Sequence, residues 1–275
     1  MIGKPLNSVI IILLIILLPC FAFAQRSVEF YFSWGYNTEW YTRSNVHVEQ
    51  PGLNNDFTFK HIRGHDHKGW DEGLFKQALS IPQYNYRIGF FFNRKKDLAF
   101  EINFDHTKFI FGDQDARIKG KLNGRQVDTS VAFNTGNGFH YYLNNGANFL
   151  LFNLVKRWHL YSSPDKKLKI DFLGKAGIGP VIPHVENGFF LNTSAGALQQ
   201  QPNDPHFQLG GWNIGAEGAL RATFFKCIYL EYANKLDYAR YAGLKIYRGT
   251  ARHAFGTYEM ILNLGVTFSA GKKIK

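Results

Sequence analysis

Carboxylates and cations recur at every second position of apolar segments in this chain. Glu101 and Asp105 alternate with Phe100, Ile102 and Phe104, and Glu231 and Lys235 follow Leu230 and Tyr232 in the same way. Groups at that spacing share one face of an extended strand. The anions so placed are Glu29, Glu101, Asp105, Asp171, Glu217, Glu231, Asp237 and Glu259. The cations are Arg87, Arg157, Lys175, Arg221 and Lys235. Both signs are interleaved, and charges gathered away from water must be paired. The expected chemistry is an internal ion-pair network, with a narrow ion-conducting pore as the alternative.

Nucleophilic catalysis needs a serine with a histidine and a carboxylate. Ser33 and Ser44 and the histidines His47, His106, His140, His184, His206 and His253 are the raw material near one rim, but no His-x-Ser, GxSxG, CxxC or HExxH motif fixes a site. No catalytic residue is assigned. His61, His65, Asp66 and His67 form the densest metal-capable run, yet Lys60, Arg63 and Lys68 beside them repel a cation. Neither a metal nor a cofactor is expected.

The elements that must position these charges are strands. Val28, Phe30, Phe32, Trp34 and Tyr36 oppose Glu29, Tyr31, Ser33, Gly35 and Asn37, and Tyr258, Met260, Leu262, Leu264, Val266 and Phe268 oppose Thr257, Glu259, Asn263, Gly265 and Thr267. The same alternation runs through residues 85–92, 98–105, 150–158, 170–178, 212–224 and 228–235. Three connections are short, at 93–96, 162–167 and 225–226; the others are long, at 43–82, 112–146, 182–206 and 242–252. This layout predicts an all-β fold, an eight-stranded antiparallel up-and-down transmembrane β-barrel with long extracellular loops. A further pair across the Leu122-Asn123-Gly124-Arg125 turn would make ten strands. Its arm from Arg117 to Leu122 falls short of the ~9–11 residues a membrane strand needs, so it is expected to project above the membrane. Asp56 to Ile62 reads as another short strand, and Asp71 to Ala78 as a helical turn or two. A barrel of eight strands is just wide enough to be filled by side chains, which favours the network over the pore. Gly35, Gly89, Gly177, Gly211, Gly215 and Gly265 then make room for the long groups.

Residues 1–24 read as a cleaved signal peptide, with Lys4, an apolar run from Val9 to Leu18 and Ala22-Phe23-Ala24 before the cut; residues 25–275 form the barrel domain. Cleavage removes Cys20 and leaves Cys227, so no internal disulfide can form. A net charge of +11 invites a nucleic-acid reading. The excess instead gathers at the short turns, as Arg94, Lys95, Lys96, Lys166, Lys167, Lys169 and Lys226, joined by Lys272, Lys273 and Lys275 in the tail. This is a periplasmic collar suited to anionic phospholipid head groups, and no nucleic-acid partner is expected.

The signal peptide, the alternation and the closing strand Tyr258-Glu259-Met260-Ile261-Leu262-Asn263-Leu264-Gly265-Val266-Thr267-Phe268 together resemble the small outer-membrane β-barrels of Gram-negative bacteria, the OmpA/OmpX-type layout. In such proteins the chain usually stops at the terminal aromatic, whereas Ser269 to Lys275 follow Phe268 here. The resemblance implies residence in the cell outer membrane. Its implied partners are the barrel-assembly machinery, phospholipid and lipopolysaccharide. The expected role is structural or surface-interacting. Some relatives of that layout act on lipid A as acyl hydrolases or transferases and others are small channels, which are the alternatives. The sequence names no extracellular ligand.

Overall fold

The computed structural model describes residues 28–69, 83–111, 114–133, 140–188 and 204–270. The signal peptide over 1–24 and the helical turn expected over Asp71 to Ala78 lie outside the described residues. The strands are β1 (Val28–Tyr41), β2 (Ser44–Gln50), β3 (Asn55–Ile62), β4 (Gly64–His65), β5 (Tyr84–Asn93), β6 (Leu98–Asp105), β7 (Phe109–Phe111), β8 (Gln114–Leu122), β9 (Arg125–Phe133), β10 (His140–Leu143), β11 (Phe149–Ser162), β12 (Leu168–Pro180), β13 (Glu186–Gly188), β14 (Gly211–Phe224), β15 (Ile228–Ile246) and β16 (Gly249–Ala270).

Eight of them, in the order β1-β5-β6-β11-β12-β14-β15-β16, close into a ring through the β1–β16 pairing. Every neighbour in the ring is antiparallel and next in order around it, so the barrel is up-and-down. Closure removes the unpaired edges that an open sheet would present. Leucine, isoleucine and aromatic side chains such as Ile88, Leu154, Trp158, Leu220 and Leu264 stand exposed on the outside. A band of that kind is stable only against an apolar surrounding, as in a membrane barrel. Trp40 packs on Tyr258 and Trp212 on Tyr238 towards the long-loop end, while Phe30, Phe90 and Phe268 cluster at the short-turn end. Aromatic rings at both ends of an apolar band suit its two polar boundaries.

The strand pair beyond eight stands outside the ring. β8 pairs with β3 and β9, joined by the expected turn at Asn123 and Gly124, both with positive φ. β3 covers the short strand anticipated over Asp56 to Ile62. One connection differs from the sequence reading. Residues 242–252 are not a loop but the continuation of β15 and β16, which run on to a tight turn at Tyr247 and Arg248. The length needed to cross an apolar layer says nothing about how far a strand pair can continue beyond it.

What makes the continuation stable is a folded cap. Above the end of β1 the edge of β16 is taken over by β2, with Thr250 opposite Glu49 and Arg252 opposite His47. The sheet then proceeds through β3 and β8 to β9, while β13-β10-β7-β4 form a second sheet. Val46, Val48, Phe57, Phe59 and Ile118 from the first sheet meet Phe109, Phe111, Tyr141 and Leu143 from the second in one buried cluster. Phe149, Tyr241 and Phe255 close it from the barrel strands below. Each such side chain contributes roughly 1.5–3 kcal/mol on burial. The long connections were legible only in the strand over Asp56 to Ile62 and the hairpin at Asn123 and Gly124. Their apolar alternation comes in fragments of a few residues, and nothing in the sequence says that the fragments meet.

Candidate functional site: a charged lumen beneath a folded cap

Strand alternation turns every second residue of the ring inward. The charged positions read from the sequence lie on that face, from Arg87, Glu101 and Asp105 to Lys235 and Glu259, all buried except the half-buried Glu29 at the short-turn mouth. At mid-height Lys175 Nζ lies 3.1 Å from Glu101, 3.0 Å from Glu217 and 2.8 Å from Glu231. Arg87 adds contacts to Glu217 at 2.8 Å and to Glu101 at 3.4 Å. It reaches upward to Asp105 at 3.8 Å, linking this layer to the next. There Lys235 Nζ is shared by Asp105 at 2.6 Å, Glu259 at 3.1 Å and Asp237 at 3.5 Å. Charges so desolvated are tolerable only because each meets an opposite partner at contact distance.

The lower lumen is filled by guanidinium groups laid on rings. Arg221 pairs with Glu231 at 2.6 Å and lies 4.5 Å from the Tyr31 ring centre and 4.0 Å from that of Tyr229. Arg157 lies 3.9 Å over Phe91 and bonds to Glu29 at 2.6 Å and Asp97 at 2.7 Å. Asp171 accepts from Lys169 at 2.9 Å. The register explains how this bulk fits. Tyr31 faces Gly89, Tyr229 faces Gly265, Asn263 faces Gly35, Asn153 faces Gly177 and Asp237 faces Gly215. A Cβ at each of these glycines would collide with the side chain opposite. Gly211 instead packs on the Arg240 backbone with φ +137.

Two members of the lumen were missed. Glu39 is buried, accepts from Asn37 Nδ2 at 2.6 Å and from the Tyr41 hydroxyl, and lies opposite Glu259. It was missed because the clean alternation of β1 stops at Asn37. Asp97 sits in a turn, where no face pattern applies, and Arg157 reaches down to it. The remaining collar residues also lie at the short-turn end. Arg94, Lys95 and Lys96 sit between β5 and β6, Lys166 and Lys167 between β11 and β12, and Lys226 between β14 and β15.

The rim histidines do different work. Ser44 Oγ lies 3.4 Å from His253 Nδ1, and Tyr141 bonds to His253 Nε2 at 2.9 Å. All three groups are buried, and Ser44 donates its proton to the Ala254 carbonyl at 2.9 Å. Among the described residues no carboxylate orients the ring, and Phe109, Tyr241 and Phe255 pack around it. This is a core histidine. His253 lies above the apolar band, and burial among the rings pushes its imidazole down to about 3. His47 pairs with Glu49 at 2.7 Å, His184 with Glu186 at 3.4 Å, and His206 faces the Asp204 carbonyl. His106 bonds to Asn148. The run from His61 to His67 is not drawn together. Asp66 accepts from Thr38 and the Glu39 amide, each at 2.9 Å, and His67 turns to Asn144.

The outer face of the cap sheet carries a shallow cavity of about 490 Å³ lined by Arg43, Lys60, Arg117 and Lys119, with Asp115 as its acid. Strand alternation places Lys60, Arg117 and Lys119 opposite the core residues Phe59 and Ile118. Arg117 is held by Asp128 at 2.7 Å.

No family model matches the chain, and no curated protein matches it. Solved structures similar to it include OprG of Pseudomonas aeruginosa, at 10% identity over 90% of this chain and 99% of that one, TM-score 0.38. The outer membrane protease OmpT of Escherichia coli has 8% identity over 89% and 97%, TM-score 0.37. The Neisserial surface protein A has 9% identity over 87% and 97%, TM-score 0.34. The solved proteins this chain is similar to are thus outer-membrane β-barrels of Gram-negative bacteria.

Proposed function

We propose that this is an integral outer-membrane barrel whose extracellular cap is a surface-interaction module and whose lumen is closed. The observation that carries this reading is the cap core. A chain that only had to cross a membrane would gain nothing from burying Phe57, Phe59, Phe109, Phe111 and Tyr141 above it. Burying them holds a sheet rigid, and that sheet presents Arg43, Lys60, Arg117 and Lys119 on its free face. Clustered cations on a rigid platform suit a phosphate-rich anionic surface, and lipopolysaccharide is the anionic material of the outer leaflet. Binding of the purified protein to lipopolysaccharide aggregates, measured against salt concentration, tests the reading. Changing Arg43 and Lys60 together to alanine should weaken binding about tenfold, which corresponds to ~1.4 kcal/mol. Unchanged affinity and salt dependence would remove the cap face as the contact.

The channel reading is disfavoured by the layers of paired charge and by Arg221 wedged between Tyr31 and Tyr229. The outer-rim hydrolase reading is disfavoured by the buried, carboxylate-free setting of Ser44 and His253.

A further inference from the structure

A second group of side chains, at the opposite end of the barrel from the cap, has the connectivity of a nucleophilic triad. Ser162 Oγ lies 3.0 Å from His159 Nε2, and His159 Nδ1 lies 3.0 Å from Asp171 Oδ1. The order is hydroxyl, imidazole, carboxylate, with each ring nitrogen assigned to one neighbour. A carboxylate on Nδ1 fixes the tautomer that leaves Nε2 free to take a proton.

The backbone is built to bring the three together. His159 and Asp171 are direct cross-strand partners on β11 and β12. Ser162 follows His159 by three residues, and in a regular strand that spacing puts two side chains on opposite faces. A register shift between His159 and Tyr161 inserts one extra residue, so that Ser162 comes opposite Lys169, on the same face as Asp171. Bulges re-aim side chains in this way. It is also why sequence motifs missed the group. A His-x-Ser search requires an even spacing, and the bulge makes an odd one equivalent to it.

Ser162 and Asp171 line a cavity of about 590 Å³ at the short-turn mouth of the barrel. Its walls include Arg94, Arg157, Lys166 and Lys226, against the acids Glu29 and Asp171. The neighbouring hydroxyl is already committed, since Ser163 Oγ donates to Asp165 at 2.6 Å. Asp171 Oδ2 is held by Lys169 at 2.9 Å, which fixes the carboxylate as it fixes the ring.

We infer that Ser162, His159 and Asp171 form an esterase site for acyl esters that carry a negative charge. Ser162 Oγ bonds to the ester carbonyl carbon while its proton passes to His159 Nε2. The carbon–oxygen bond to the alcohol then breaks, and His159 returns the proton to the leaving oxygen. Water adds to the acyl-serine in the same manner, giving its proton to His159, and Ser162 departs reprotonated. The products are one carboxylic acid and one alcohol. Ser162 and His159 are the catalytic residues, and Asp171 is a positioning residue acting through the ring. The cationic walls select the anion and supply countercharge to the developing oxyanion.

The test uses the full mature chain in detergent, with a fluorophosphonate probe and intact-mass and peptide analysis. A single adduct on Ser162 is expected, absent from Ser162→Ala and formed roughly 100-fold more slowly in His159→Ala. Asp171→Asn should lower kcat for the anionic mono-4-nitrophenyl ester of succinate without raising KM, the split expected of a positioning role. Ser162 is exposed, so the Ser162→Ala variant should keep heat-modifiable gel mobility and serve as a folded control. Two further substrates identify the source of the ester. Release of fatty acid from phosphatidylglycerol vesicles points to a membrane lipid, and turnover confined to a soluble succinate monoester points to a diffusible one. No Ser162 adduct under conditions that label a serine hydrolase standard completely would overturn the inference, as would an adduct on Ser163 instead.

Discussion

Lys175 touches three carboxylates and its side chain is fully buried, so the cluster around it depends on one ammonium group. Replacing it with methionine strands Glu101, Glu217 and Glu231 around an apolar group. Breaking a buried ionic cluster from one side costs about 3–5 kcal/mol. Lys175→Met should therefore lower the urea midpoint of refolded protein in lipid vesicles, and adding Glu217→Gln should recover part of the loss. An unchanged midpoint would show that the cluster is not structural. His253 gives a prediction of a different kind. Its imidazole is pushed down to about 3 in the folded cap by burial, below the ~6.5 of an exposed ring. Between these values the unfolded cap binds the extra proton, so its stability is full above about pH 6.5 and falls as the pH drops towards 3. Hydrogen exchange of cap amides should accelerate across that window. His253→Gln should flatten the pH dependence, and an equally steep curve in the variant would assign it to other groups.

The elements differ in how strongly the chain encodes them. The β8–β9 hairpin depends on its turn, where Asn123 and Gly124 both take positive φ. A Cβ on Gly124 would meet only Asn54 Cβ, at 3.9 Å, so substitution there acts through backbone strain and not through collision. Gly124→Val should cost about 1–3 kcal/mol locally. It should expose the hairpin to protease while leaving heat-modifiable mobility of the barrel intact. Loss of the mobility shift would mean that cap and barrel are one cooperative unit. The ring strands were legible because lipid on one side and a filled lumen on the other force an uninterrupted period of two. Ile261 in the closing strand is apolar yet takes an inward position between Glu259 and Asn263, where it joins Tyr31 and Tyr229. The packing of the cap was not legible, although its strand β3 and its β8–β9 hairpin were. Val46 and Val48 meet Phe109 and Tyr141 across long separations, and short alternating fragments do not identify their partners. Glu39 and the group at His159 escaped for the same reason. Each lies where the regular period ends, at a strand extension or at a bulge.

At the scale of the whole molecule the charges are sorted by height. Paired ions fill the barrel, basic turns ring one end, and a basic sheet face looks out from the other. Neutralising Lys95, Lys96, Lys166 and Lys167 together should weaken association with anionic phospholipid vesicles, and unchanged flotation with such vesicles would dismiss the collar. Strand β16 is the piece these parts share. Its lower portion closes the ring against β1, from Val28 opposite Ala270 to Tyr41 opposite Thr257, and its upper end carries β2 and hence the cap sheet. Both are therefore waiting for the last strand to be delivered. A chain delivered N-terminus first holds β2 and β3 long before it holds the edge on which they dock. Assembly is then set by the arrival of β16, and a chain truncated before Gly249 would lose the cap and the barrel in a single stroke.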